Sequence, residues 1–381
     1  MDFSWSEAQN SLHQEIVDET RTRLGPKITE RGRSHFFGRD EWEICGQIGL
    51  LGLSVPPCYG GRELDCLSTA RMVDAFGHAC EDMGLVFAAA AHLFACVMPI
   101  LEHGADPLKE YVLPKLCSGE WIGANATTEA EAGSDVFSLK ANAVRAGDSY
   151  ILNGSKWFVT NGPVADIMVV YATTNPANGF LGISAFAVEC DTPGVVAEEP
   201  FEKMGLLSIP TGVIHLEDCR VPAANRLGAE GQGGLIFNRA MQWERTGLFA
   251  GYLGMMRRQL DQAIDYARKR RQFGKPIGKN QAISHRIADM KLRLESAALL
   301  LARACWRLDR GEDATVDVSL TKLAISEGVV QSCLDVLQIL GGTGFMNSAG
   351  IGWELGDAMA GPLVSGTSEM QREIIARQLG L

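Results

Sequence analysis

The sequence predicts a mainly α protein with a central small β domain set between two helical domains. Three observations carry that prediction. Helical periodicity fills the first third of the chain and everything after Gly233. A central tract of short segments rich in β-formers, separated by turn residues, interrupts it. The glycine-rich stretch Gly228 to Gly234 then returns the chain to helix. We place an N-terminal helical domain at 1–124, the β domain at 125–232 and a C-terminal helical domain at 233–381. A chain of 381 residues is long enough for two or three such units.

Along the chain, Ser6 and Gln9 form a capping box, and Gly25-Pro26 is expected to end the first helix. Asp40 to Leu51 reads as a second helix, followed by a turn at Pro56 to Gly61. Two apolar helices lie between Leu67 and Gly104, and a short one spans Pro107 to Ser118. Tyr150 to Thr160 has β-type residues around Asn153-Gly154 and reads as a hairpin. Short strands follow at Ala165 to Thr173, Gly182 to Glu189, Gly194 to Ala197 and Gly212 to Leu216. Helices resume with Asn238 to Arg268, then 281–310, 316–340, 351–360 and 368–379. The last of these opens on a capping box of Ser368 with Gln371.

Composition narrows the function. With 46% hydrophobic and 21% charged residues, the chain has the profile of an ordinary soluble globular protein. A net charge of −11 argues against non-specific nucleic-acid binding and against an anionic membrane surface. Met83 to Leu101 is apolar, but its alanines, His92 and Pro99 suit a buried helix better than a membrane span. Ten cysteines lie scattered, without a C-x-x-C or a metal-like pairing with the seven histidines. We therefore expect a reduced, cytoplasmic chain with no structural metal. Met1-Asp2-Phe3-Ser4 lacks a basic start leading into an apolar core, so no signal peptide is expected.

The long helix holds the sharpest signal. Stepping by three and four residues through Glu244 gives Phe237, Ala240, Met241, Gly247, Leu248, Gly251, Tyr252 and Met255. A lone carboxylate on that apolar stripe is either a paired core glutamate or a catalytic group, and the helix by itself leaves both open. Three other stretches suit a polar or anionic ligand. Ala126 to Asp135 is rich in hydroxyls, small residues and free backbone N–H groups. Arg268 to Lys275 concentrates positive charge at a helix end. Gln338 to Gly344 brings glycines that let a ligand approach the backbone. No P-loop, dinucleotide fingerprint, G-x-S-x-G or H-E-x-x-H motif is present.

In this order the stretches resemble the acyl-CoA dehydrogenase family. The resemblance rests on Tyr59-Gly60-Gly61, Leu113-Pro114, Thr128-Glu129 through Gly133-Ser134-Asp135, Asn161-Gly162, Asp218 to Pro222, Gln272-Phe273-Gly274, Gln338 to Gly344 and Gly366-Thr367-Ser368, and covers essentially the whole chain. It implies a helical domain, a barrel-like β domain and a C-terminal four-helix bundle, assembled as a homotetramer around FAD. It also implies flavin contacts from Asn125, Thr127, Thr128, Gly133 and Ser134, and from Phe158, Val159 and Thr160 of the β domain. Arg270, Gln272, Phe273, Asn280 and Gln281 would reach the FAD of a neighbouring subunit, Gln338, Gly341 and Gly342 its adenosine end, and Thr367 and Glu369 would complete the site. Phe158 stands where the family often has Trp, and Leu207 where Arg is common.

The family removes the α-proton of a thioester with a carboxylate while hydride leaves Cβ for the flavin. Many members place that carboxylate immediately before Gly-Thr, where this chain has Ser365. Others place it on the long helix before an Arg, which Glu244-Arg245 matches, so the resemblance assigns Glu244 as the base. Ser134, Arg245 and Ser365 fall on the substrate side. Within the family, Trp42 to Cys45, Asp82 to His92, Trp243-Glu244-Arg245, Leu253 to Met256 and Ser284 to Ala288 resemble members that act on L-proline held as a thioester on a peptidyl carrier protein. A CoA thioester is the alternative substrate, and oxygen or an electron-transfer flavoprotein the expected acceptor. The same fold also supports flavin N-oxygenases and a non-catalytic DNA-binding relative. Glu244 argues against the first and the net charge against the second.

Overall fold

A computed structural model describes residues 4–32 and 35–381. Met1 to Phe3, part of the stretch read for a signal peptide, lie outside the described residues. Helix α1 (Glu7–Glu19) starts at Ser6, whose side chain accepts from Gln9 N while Gln9 accepts in return from Ser6 N. It does not stop at Gly25-Pro26. A π-helical segment, Thr20–Leu24, leads into α2 (Gly25–Arg31), where Pro26 sits in the first turn and its missing N–H costs nothing. Then come α3 (Arg39–Ile48) and α4 (Cys66–Ala79).

Helices α5 (Met83–Ala91) and α6 (Met98–His103) are joined by a second π segment, His92–Val97, before α7 (Asp106–Ser118). The span Met83–His103 is long and apolar enough to cross a membrane, yet 89% of its apolar window is buried in the fold. Thr315–Thr343 passes the same test with 56% buried. A π turn displaces backbone groups from the regular ladder. Here Asn125 Nδ2 donates to Ala95 O at 2.9 Å, and His92 Nδ1 accepts from Gly123 N at 2.8 Å. The widened turn is thereby stitched to the first strand.

The β region comprises β1 (Gly123–Ala126), β2 (Asn142–Ala146), β3 (Ser149–Thr160), β4 (Ile167–Thr173), β5 (Ile183–Glu189), β6 (Val195–Ala197), β7 (Thr211–Pro222) and β8 (Arg226–Leu227). Their order is β6-β7-β3-β2-β4-β5-β8, with β1 parallel to β4. The path ends at β6 and β8, so the barrel-like domain is a sheet folded over one shared core rather than a closed barrel. Tyr150, Leu152, Met168, Val170, Phe186, Ile214 and Val221 fill that core.

The expected Asn153-Gly154 turn instead lies inside one continuous strand, opposite a bulge whose extra residue is on β7. Gly154 holds φ +140°, with Ala141 so close that a Cβ would lie 2.6 Å from the Ala141 methyl. Asn153 and Asp218 exchange hydrogen bonds across the bulge, and the hairpin turn falls at Gly147-Asp148. Strand β4 has two different faces. Met168, Val170 and Ala172 enter the sheet core, whereas Ile167, Val169 and Tyr171 face the helices.

Helix α8 (Gly233–Lys269) is followed by the two-stranded β9 (Arg271–Gln272) and β10 (Lys275–Pro276). Then come α9 (Gln281–Asp309), α10 (Thr315–Leu340), α11 (Ile351–Met359) and α12 (Ser368–Gln378). The bundle forms as α10 packs on α8, α9 and α12, with α8 also against α9. The cap of α12 is Thr367 rather than Ser368: its hydroxyl accepts from Met370 N, and Gln371 Nε2 donates to Gly366 O.

Helix α8 also crosses α4 at backbone contact. A Cβ on Gly254 would lie 2.2 Å from Asp74 O and 2.5 Å from His78 N, and one on Gly77 2.1 Å from Gly251 O. Only backbone could yield there, so Gly254→Ala is expected to destabilise the fold by about 1–3 kcal/mol. An unchanged thermal midpoint would show that the two helices part freely.

Candidate active site

Glu244 lies about three turns into α8, on a face whose Ala240, Met241, Leu248, Tyr252 and Met255 are buried. Its neighbours are held in place. Trp243 Nε1 and Arg239 both donate to Glu102 of α6, and the Phe94 ring stacks on Trp243 at 6.2 Å. Phe94 also occupies the space a side chain at Gly247 would need. The π turn that carries Phe94 therefore abuts the turn of α8 following Glu244.

A sharp loop crosses from the other side. Ser365 adopts φ +55° and Gly366 φ +84°, a left-handed pair that glycine adopts without strain and serine at a cost. The loop places Ser365 between two charges: its hydroxyl donates to Glu244 Oε1, and its carbonyl accepts from Arg245 Nε at 2.9 Å. A Cβ on Gly366 would come within 3.2 Å of Arg245 Nη2. Burial raises the Glu244 carboxyl above its ordinary value, opposed by the Ser365 hydrogen bond and the Arg245 charge. Burial also lowers Arg245, with Glu244 pulling the other way. The product is a carboxylate readier than an exposed glutamate to hold a proton.

Ser365→Ala removes a donor that favours the ionised carboxylate. The acidic limb of the pH–rate profile should therefore move to higher pH, with the largest loss of rate on the acid side. A profile measured by flavin reduction that superposes on the parent's would remove the hydroxyl from this role.

The other expected residues fall into two groups. In the first, Asn125 on β1 donates to Ala95 O of the π turn that abuts α8 and accepts from the Thr127 hydroxyl, and Thr128 O accepts from Trp157 N at 2.8 Å. A bulge between Lys156 and Val159 turns Phe158 outward at φ +55°, 62% exposed. Val159 points into the sheet core, so only its backbone is available to a ligand. Thr160 is half-buried at the strand end, while Gly133 and Ser134 lie on an exposed loop. Thr367 is spent on its helix cap, and Glu369 beside it is exposed.

The second group gathers at the far end of α8. Tyr266 Oη reaches Leu340 O and Thr343 Oγ1, bringing Arg270, Gln272 and Phe273 toward Gln338, Gly341 and Gly342. Asn280 and Gln281 open α9 nearby. Phe273 is 95% exposed, and Cβ atoms built on Gly341 and Gly342 would meet nothing within 4 Å. The two groups stand apart, Glu244 and Arg270 lying about 40 Å from each other along the helix. The donor set suits a flavin: an exposed aromatic and threonine backbone for a planar ring, and arginine with open glycines for a diphosphate.

One buried ion pair beside these residues was absent from the sequence expectations. Lys156, fully buried, donates to Glu129 Oε1 at 2.7 Å and Thr127 O at 3.1 Å. Glu129 also accepts from the N–H groups of Lys140 and Ala141. Burial draws Lys156 down to about 8 against the pull of Glu129. This pair fixes the Thr127-Thr128 backbone from behind. Its signal was present in the alternation of Tyr150, Leu152 and Lys156 on the inner face of β3.

Comparison with known proteins places these features. Residues 6–120, 124–219 and 231–380 match the N-terminal, middle and C-terminal domain models of acyl-CoA dehydrogenase. The chain is 53% identical over 382 residues, covering all of both proteins, to an L-prolyl-[peptidyl-carrier protein] dehydrogenase of Pseudomonas fluorescens. It superposes on the crystal structure of the prolyl acyl carrier protein oxidase AnaB with TM-score 0.96 and 42% identity, covering 99% of this chain and 100% of that one. For PigA with FAD and proline the values are 0.95 and 41%, with both chains fully covered. With all three domains matched in order and a carboxylate-bearing helix laid under the Gly-Thr loop, the chain belongs to the acyl-CoA dehydrogenase family.

Proposed function

We propose that the chain is an FAD-dependent dehydrogenase that oxidises L-proline held as a thioester on a peptidyl carrier protein. The observation that carries the chemistry is the Glu244–Ser365–Arg245 arrangement. The full-length similarity to prolyl carrier protein dehydrogenases supports the substrate. When bound, FAD supplies the hydride acceptor.

The chain's own residues do the rest. Glu244, ionised and with its proton affinity raised by burial, takes the hydrogen from Cα. The electron pair released moves toward the thioester carbonyl, whose oxygen the backbone N–H of Ser365 would polarise. Arg245 holds the Ser365 loop and stabilises the carboxylate between turnovers. Asn125, Thr127, Thr128, Phe158 and Thr160 would hold the flavin ring, and Arg270, Gln272 and Phe273 the cofactor of a second copy. The roughly 40 Å between the two groups favours that sharing, and with it the homotetramer.

The test is to add prolyl carrier protein or isovaleryl-CoA to the FAD-loaded enzyme and follow the flavin absorbance. Bleaching by the carrier-bound substrate alone is expected. Bleaching by the CoA ester alone would make the chain an acyl-CoA dehydrogenase with the same base.

A further inference from the structure

Tyr171 carries a polar group that the mechanism above leaves without work. It projects from β4 toward the helices, is 1% exposed, and its hydroxyl has no hydrogen-bond partner among the described residues. A buried hydroxyl left unpaired is costly, and such groups persist where a ligand completes them. Its surroundings locate it at the site. The ring meets Phe237 edge-on at 5.7 Å, and Phe237 lies on the same face of α8 as Glu244, two turns earlier. Burial, with the Glu244 carboxylate acting in the same direction, keeps the phenol protonated. From Phe237 the aromatic line continues to Phe137 at 6.0 Å, which is 37% exposed. The phenol thus stands at the closed end of a row of rings that opens to solvent.

Resting on the prolyl thioester assignment, we propose that the Tyr171 hydroxyl is a specificity group that hydrogen-bonds the ring nitrogen of the substrate. A prolyl thioester differs from a simple branched acyl group in having a nitrogen on the very carbon that loses its proton. Once Cα is within reach of Glu244, that nitrogen must also lie inside the pocket, and burying it without a partner would be costly. A neutral phenol both donates and accepts, so it matches the amine in either protonation state. The apolar faces of Phe237 and its neighbours suit the methylenes of the five-membered ring.

The test compares two substrates on one carrier protein, prolyl and cyclopentanecarbonyl, the second having the same ring without nitrogen. Each is used with the parent enzyme and with Tyr171→Phe, which deletes one oxygen and keeps the ring. FAD content and melting temperature report folding. Flavin reduction by the prolyl substrate should fall roughly ten- to hundred-fold in the variant, mostly through weaker binding, while the carbocyclic substrate is unaffected or improved. Equal losses on both substrates, or none on either, would overturn the proposal. A parent enzyme unreduced by prolyl carrier protein would instead overturn the assignment beneath it.

Discussion

Glu244→Gln is expected to yield a protein that binds FAD as the parent does and no longer bleaches with substrate. The amide is nearly isosteric, and its oxygen still accepts from the Ser365 hydroxyl, so the loop, Arg245 and the pocket shape are preserved. Proton affinity is what disappears. General-base catalysis contributes typically 10²–10⁴-fold, and flavin reduction in a stopped-flow experiment should slow by at least about that factor. Substrate affinity should change little, which separates a lost base from a distorted site. A variant that reduces its flavin at the parent rate would place the base elsewhere.

The second large effect lies at Lys156, which holds the Thr127 carbonyl. Lys156→Met strands the Glu129 carboxylate in a buried position with only the Lys140 and Ala141 amides for support. Breaking one side of a buried ion pair costs about 3–5 kcal/mol, because the remaining charge is left uncompensated. The melting temperature should drop, and FAD should be lost on gel filtration as the Thr127-Thr128 backbone loosens. Adding Glu129→Gln to the Lys156→Met chain should restore part of the stability, since no charge then remains unpaired. A single variant that keeps its full flavin and its melting point would show that the pair is incidental.

The same carboxylate gives a pH dependence. Burial alone would raise Glu129, but the Lys156 charge and hydrogen bond, with the two amides, outweigh it and hold the group below 4.5. Its contribution to stability is therefore present above that ordinary value and lost as the pH falls through the depressed one. FAD release as the pH is taken below 4.5 is the measurement.

Much of this was legible from spacing. The helical stripe through Glu244 emerges with Ala240, Met241, Leu248, Tyr252 and Met255 buried and Phe237 half-buried, but the middle of the helix, Thr246 to Met256, is buried on every side, which a single stripe could not show. The stretches around Arg270 and Gly341 also come to the same end of α8, where Tyr266 reaches Leu340 and Thr343. What spacing could not show depends on where distant segments meet. Ser365 was expected on the substrate side. Its hydroxyl bond to Glu244 follows from a left-handed turn 121 positions away in sequence. Asn153-Gly154 has the composition of a hairpin, yet Ala141 packs against it and the strand runs on. Gly25-Pro26 looks like a stop, but a wider turn before it lets the helix pass.

The π turn at His92–Val97 sets a constraint of a different kind. A wide turn spreads the rotation of a regular helix over one extra residue, so excising one residue there would rewind the rod and leave Met98–His103 in much the same phase. Glu102 would still face Trp243 and Arg239, but the displaced carbonyl that Ala95 offers to Asn125 would be drawn back into the ladder. A shortened bend should therefore loosen the first strand before it disturbs the tether on the helix bearing Glu244.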